Sequence, residues 1–141
     1  MSLPKEHVVI REIVEDNKKA AHKAYLRGDY VSCFLLMHSL IEALLRAFLS
    51  KTKKETFPKL INTYEKLLKQ ARQKKPRFVN ELFKFNDRRN RVVHELWKKG
   101  YTPTNEKLEP SCKGAFLMYG LFIEWLETFD PQITDFGFYY E

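Results

Sequence analysis

Glycine, proline and cysteine are scarce in this chain of 141 residues: five, six and two respectively. With so few breakers, long helices are expected, and two cysteines without metal-ligand spacing exclude a zinc finger and a Cys-x-x-Cys redox site. No glycine-rich phosphate loop, Walker-type lysine or nucleophile elbow occurs, so the common nucleotide-hydrolase and α/β-hydrolase chemistries have no anchor here. Period-two alternation is missing, which argues against a sheet. The longest apolar stretch, residues 31–49, is broken by His38, Glu42 and Arg46 and reads as a core helix, not a membrane span. The first residues hold no apolar core with a cleavage site. A cytoplasmic protein is expected, with Cys33 and Cys112 as buried free thiols.

What is present suffices for a packed core: 44% of residues are hydrophobic and 14% aromatic. One helical domain over residues 1–130 is expected, followed by an aromatic tail over 131–141. Charge is unevenly placed. Residues 51–99 hold 16 of the 25 Lys+Arg but only 5 of the 18 Asp+Glu, a local net of +11 against −4 for the rest. A basic third between acidic flanks suits a polyanion such as RNA, through counterion release, although lysine-rich helix surfaces also occur without any ligand.

The spacing predicts an all-α bundle of about five helices. The first covers residues 4–26, with Val9, Ile13, Ala20 or Ala21, and Ala24 on its apolar side, and stops at Gly28. Asp29 caps a second helix running to about residue 50, whose stripe of Phe34, Met37, Ile41, Leu44, Leu45 and Phe48 marks it as central. A third helix spans 57–73, and a fourth runs from Pro76 to about Gly100. Residues 101–109 read as a polar loop. Pro110 opens a fifth helix carrying Phe116, Leu117, Leu121, Ile123, Trp125 and Leu126, ended by Asp130-Pro131. The tail holds Phe136, Phe138, Tyr139 and Tyr140, aromatics that call for burial, as an extended segment against this bundle or on a partner.

The fourth helix carries the chemistry. Its apolar stripe contains Leu82, Phe85, Val92 and Leu96, and at 100° per residue Arg89 falls in the middle of that stripe. A guanidinium cannot shed its proton, so Arg89 needs a carboxylate, with Glu42 the candidate, or the mouth of an opening that an anion can reach. Steps of four place Asn86, Asn90 and His94 in a polar row that either lines a groove or faces solvent. Five residues rise about 7.5 Å and turn about 140°, so Arg89 and His94 do not converge from one helix alone. Two copies about a two-fold axis would bring them to a shared groove, with Phe83, Val93 and Trp97 as apolar contacts. If RNA enters, His94 is the general base for a ribose 2′-hydroxyl and Arg89 stabilises the phosphorane charge. Asn90 orients the histidine or donates to phosphate. His38 and Glu42 lie four apart, but no third metal ligand accompanies them. His38 reads as a satisfied core-edge histidine, and no metal or cofactor is expected.

The segment Arg89-Asn90-Arg91-Val92-Val93-His94 resembles the R-x4–6-H motif of the HEPN superfamily, including the polar residue that often follows the arginine. The helix order is similar too, with Ile41-Glu42-Ala43-Leu44-Leu45 in the second helix and the motif in the fourth. The likeness covers most of residues 28–129 as an architecture. It implies an up-down helical bundle, usually dimeric, and a metal-independent endoribonuclease site at the dimer interface, in toxin–antitoxin pairs or antiviral defence. A minimal nucleotidyltransferase is a frequent antitoxin partner. On this reading Arg89, Asn90 and His94 are catalytic, Glu42 supports Arg89, and Arg88, Arg91, Lys98 and Lys99 hold RNA. Arg88 offers a second register for the motif, but it points to the edge opposite His94, so Arg89 is preferred. The alternatives are a non-catalytic HEPN-like module that binds nucleotide or RNA or dimerises, and a helical adaptor that uses the aromatic tail.

Overall fold

The computed structural model describes residues 5–49, 55–70, 77–128 and 131–139. Among them there are six α-helices, one 3-10 turn and no strand. The helices are α1 (Lys5–Leu26), α2 (Tyr30–Phe48), α3 (Phe57–Gln70), α4 (Arg77–Lys99), α5 (Tyr101–Glu106) and α6 (Glu109–Glu127), and the 3-10 turn is Pro131–Phe136. The all-α bundle follows from the three- and four-residue recurrence of apolar side chains.

Helix α2 is the axis, packed by every other helix and by the 3-10 turn. That enclosure explains why Val31, Leu40 and His38 are buried as well as the stripe residues Phe34, Met37, Ile41, Leu44 and Leu45. Each fully buried leucine, isoleucine or phenylalanine contributes roughly 1.5–3 kcal/mol by leaving water. By length and composition Tyr30–Phe48 is also apolar enough to cross a membrane, yet half of it is buried inside the bundle, as a core helix requires.

The α1–α2 corner forms as its sequence dictates. Gly28 takes φ +80, and the Asp29 carboxylate accepts from the backbone N–H of Ser32 at 3.3 Å. On α1, Ile13 is 53% exposed, and Val14, Ala21 and Ala24 make the core contact instead.

Residues 101–106 are helical, where a polar loop was expected. Tertiary hydrogen bonds override the weak local propensity. Asn105 Nδ2 donates to the Gly28 carbonyl at 2.8 Å and its Oδ1 accepts from Val31 N–H at 3.0 Å. Tyr101 donates to the Asp29 carboxylate at 2.7 Å, and the Thr104 hydroxyl folds back to the Gly100 carbonyl at 2.8 Å. Pro103 lies in the first turn, where a missing N–H costs little.

Helix α6 buries Cys112, Ala115, Tyr119, Phe122, Ile123 and Leu126, and leaves Leu117 and Leu121 facing solvent. Both cysteines are free and buried. The tail docks on its own bundle as a 3-10 turn, not an extended strand, against α1 and α6. Ile133 and Phe138 are fully enclosed and Phe136 is buried. Tyr140 lies outside the described residues. Buried Lys18 holds the tail, with Nζ 3.3 Å from the Tyr139 ring centroid and 3.2 Å from the Tyr139 carbonyl oxygen.

Candidate nucleic-acid interface

Helix α4 turns Val79, Leu82, Phe85 and Val92 into the core. Arg89, expected in the middle of that stripe, is exposed. Between Phe85 and Val92 the surface opens where α2, the start of α3 and α4 meet, leaving a cleft of about 430 Å³. That size lies in the range of small-ligand sites. His38, Phe57 and Asn86 form its buried floor, Glu42, Thr56 and Pro58 its sides, and Arg89 and Asn90 its mouth.

The floor is a hydrogen-bonded pair of polar side chains inside an apolar setting. His38 Nε2 stands 3.3 Å from Asn86 Oδ1, and an amide oxygen can only accept, so Nε2 carries the proton. The imidazole meets the Phe57 ring edge-on at 4.9 Å and lies 5.0 Å from the Phe85 ring. Burial pushes His38 down to about 4, the Arg89 charge adds to the effect, and the bond to Asn86 opposes it. At neutral pH the floor is therefore uncharged.

At the mouth, Arg89 Nη1 donates to Asn90 Oδ1 at 3.1 Å. The expected Arg89–Glu42 pair does not form. Glu42 is taken by Arg46 one turn along the same helix at 3.3 Å, and Arg46 also donates to the Glu55 carbonyl at 2.8 Å. An i,i+4 partner needs no bridging between helices, so it wins. Arg89 and Glu42 still line the same cleft.

His94 is exposed and does not line the cleft. Thus the polar row of α4 runs from the buried floor at Asn86, through the mouth at Asn90, to open surface at His94. The single chain brings Arg89, Asn90 and Glu42 together and leaves His94 outside. Arg88 lies on the other flank of α4 and donates to Ser111 Oγ at 3.3 Å, in an apolar groove edged by Leu117 and Leu121. Arg91, Lys98 and Lys99 are exposed along the helix. Trp97 is 90% exposed, a large apolar surface one turn from His94. Among the described residues no group of three or more His, Cys, Asp or Glu is placed to hold a metal ion.

Sequence reasoning placed His38 at the core edge without connecting it to the fourth helix. The signal was available: His38 and Glu42 on α2 and Asn86 and Asn90 on α4 are matched polar pairs four residues apart. Two such pairs on neighbouring helices mark a shared polar seam. No family model, curated protein or solved structure matches this chain.

Proposed function

We propose that this chain is a metal-independent endoribonuclease of the HEPN type that acts as a homodimer. The observation that carries the reading is the presentation of the motif: Arg89 and Asn90 stand at the mouth of an open cleft, with no carboxylate paired to Arg89 among the described residues, and exposed His94 lies four residues beyond Asn90 on the same helix. A two-fold-related copy supplies the convergence that a single helix denies. His94 takes the proton of a ribose 2′-hydroxyl, and the oxygen forms a bond to the adjacent phosphorus. The P–O5′ bond breaks, and the leaving oxygen receives a proton from the partner copy's imidazole or from water. Arg89 neutralises the phosphorane charge through charge-assisted hydrogen bonds. The products are a 2′,3′-cyclic phosphate and a 5′-hydroxyl. In a toxin–antitoxin setting, the restraining partner would be a small nucleotidyltransferase-type protein.

The test is incubation of the purified protein with structured RNA in the presence of a chelator, followed by analysis of the ends. Cyclic-phosphate ends are expected. Arg89→Ala and His94→Ala each lower the rate by at least about 100-fold with the helical circular dichroism kept. Undiminished cleavage by either variant would refute the assignment. The position of His94 outside the cleft favours a second reading, a HEPN-like module that binds RNA or nucleotide without cutting it. Intact RNA bound with steep salt dependence selects that reading.

A further inference from the structure

The cleft combines features that the cleavage chemistry does not use. His38 and Asn86 are buried at the floor, and the Glu42 carboxylate on the side would repel a phosphodiester. Carboxylates are poor company for RNA backbone, so a carboxylate beside a basic helix calls for a ligand with hydrogen-bond donors of its own. Within the described residues, Glu42 gives Oε2 to Arg46 and keeps Oε1 uncommitted. Asn86 uses its amide oxygen on His38, so its amide nitrogen remains to donate, and Asn90 likewise spends only its oxygen, on Arg89.

We propose that this cleft is a subsite for a guanine nucleotide, with the base inserted toward the His38–Asn86 floor and its phosphate on Arg89; the inference rests on the reading of the chain as an RNA-handling protein. Guanine is the base whose pairing edge presents two adjacent donors, N1–H and the N2 amino group, beside an acceptor, O6. Glu42 accepts from the donors, and an asparagine amide nitrogen meets O6. Adenine offers the carboxylate a ring-nitrogen lone pair, as does cytosine, and uracil offers a single donor. An uncharged floor beneath a cationic mouth suits a neutral base joined to an anion. A cleft of about 430 Å³ is large enough for a nucleotide-sized ligand.

Calorimetric titration of the intact protein with guanosine, adenosine, cytidine and uridine 5′-monophosphates tests this directly. Guanosine monophosphate is expected to bind at least about fivefold tighter than the others, the low end for one bidentate base contact. Glu42→Gln brings the four affinities together, while Arg89→Ala weakens all four alike. In parallel, the His38 ring and Asn86 side-chain amide resonances of the wild-type protein shift on titration, which keeps the test open if a variant folds poorly. Equal affinities for the four nucleotides, no binding, or unmoved His38 and Asn86 signals would overturn the proposal. The two readings separate cleanly. His94→Ala loses cleavage and keeps nucleotide binding. Uncut RNA with tight guanosine monophosphate sinks only the nuclease, and cut RNA without nucleotide binding sinks only this subsite.

Discussion

Acid should loosen this bundle through one side chain, His38. The residue is 5% exposed, and burial lowers its pKa to about 4 from the ordinary 6.5. A base with a lowered folded pKa binds fewer protons in the native state than in the unfolded chain between those two values. Stability therefore rises with pH across the window from about 4 to 6.5, and it is lost as pH falls through 6.5. The full gap of about 2.5 pH units corresponds to roughly 3 kcal/mol, and about 2 kcal/mol of it is lost between pH 7 and pH 5. The lowered carboxylates Asp29 and Glu109 act in the same direction, but only as pH falls below the ordinary carboxylate range, so the upper part of the window belongs to His38. Urea unfolding at pH 7, 6 and 5 measures the slope. His38→Gln keeps a polar partner for Asn86 and cannot titrate. Its stability at pH 7 differs because the rings around it repack, but its decline toward pH 5 should be flatter by about 2 kcal/mol. Equal declines in the two proteins would show that His38 is not held neutral by burial, and the uncharged floor of the cleft would go with it.

Two further outcomes follow from named contacts. Gly137 has φ +92, and a Cβ there would stand 3.0 Å from the Arg11 carbonyl oxygen, so Gly137→Ala should cost about 1–3 kcal/mol in chemical denaturation and release the tail from α1. Stability unchanged by that substitution would mean the tail docks differently. For the proposed RNA complex, replacing both Lys98 and Lys99 by alanine should flatten the dependence of log affinity on log salt by about 2, one per lost phosphate contact, uniformly across sequences. An unaltered slope in filter binding would place the RNA path elsewhere.

The helical class, the central α2 and the Gly28–Asp29 corner were legible because each rests on local pattern: period, a positive-φ glycine and a capping carboxylate. Helix α5 was not, since its stability comes from Asn105, Tyr101 and Asp29, partners more than 70 positions apart in sequence that no local rule connects. The same limit applied to the site. Periodicity put Arg89 on the apolar stripe, and the structure exposes it because the neighbouring helices part there. The stripe predicts direction from one axis, whereas exposure depends on what lies opposite. Leu117 and Leu121 illustrate the converse, apolar residues left exposed at the edge of the open groove between α4 and α6.

The proposed dimer faces an electrostatic obstacle that itself makes a prediction. Helix α4 carries seven Lys or Arg against three Asp or Glu, so two copies brought side by side repel each other. Trp97 supplies the opposing term: an indole that is 90% exposed in one subunit has about 150–250 Å² to bury, and the two-fold axis brings in a second one. Repulsion between exposed charges is screened over about 10 Å at 0.1 M salt and about 3 Å at 1 M, whereas apolar burial is barely weakened. Association should accordingly tighten as salt rises, several-fold between 0.05 and 0.5 M by sedimentation equilibrium, and Trp97→Asp should abolish it. A polyanion laid across both basic helices does the work of the salt, so RNA and the second subunit should bind with positive coupling. Association that weakens with added salt would mean that ion pairs hold the subunits together, and the paired α4 arrangement that brings His94 to Arg89 would have to be abandoned.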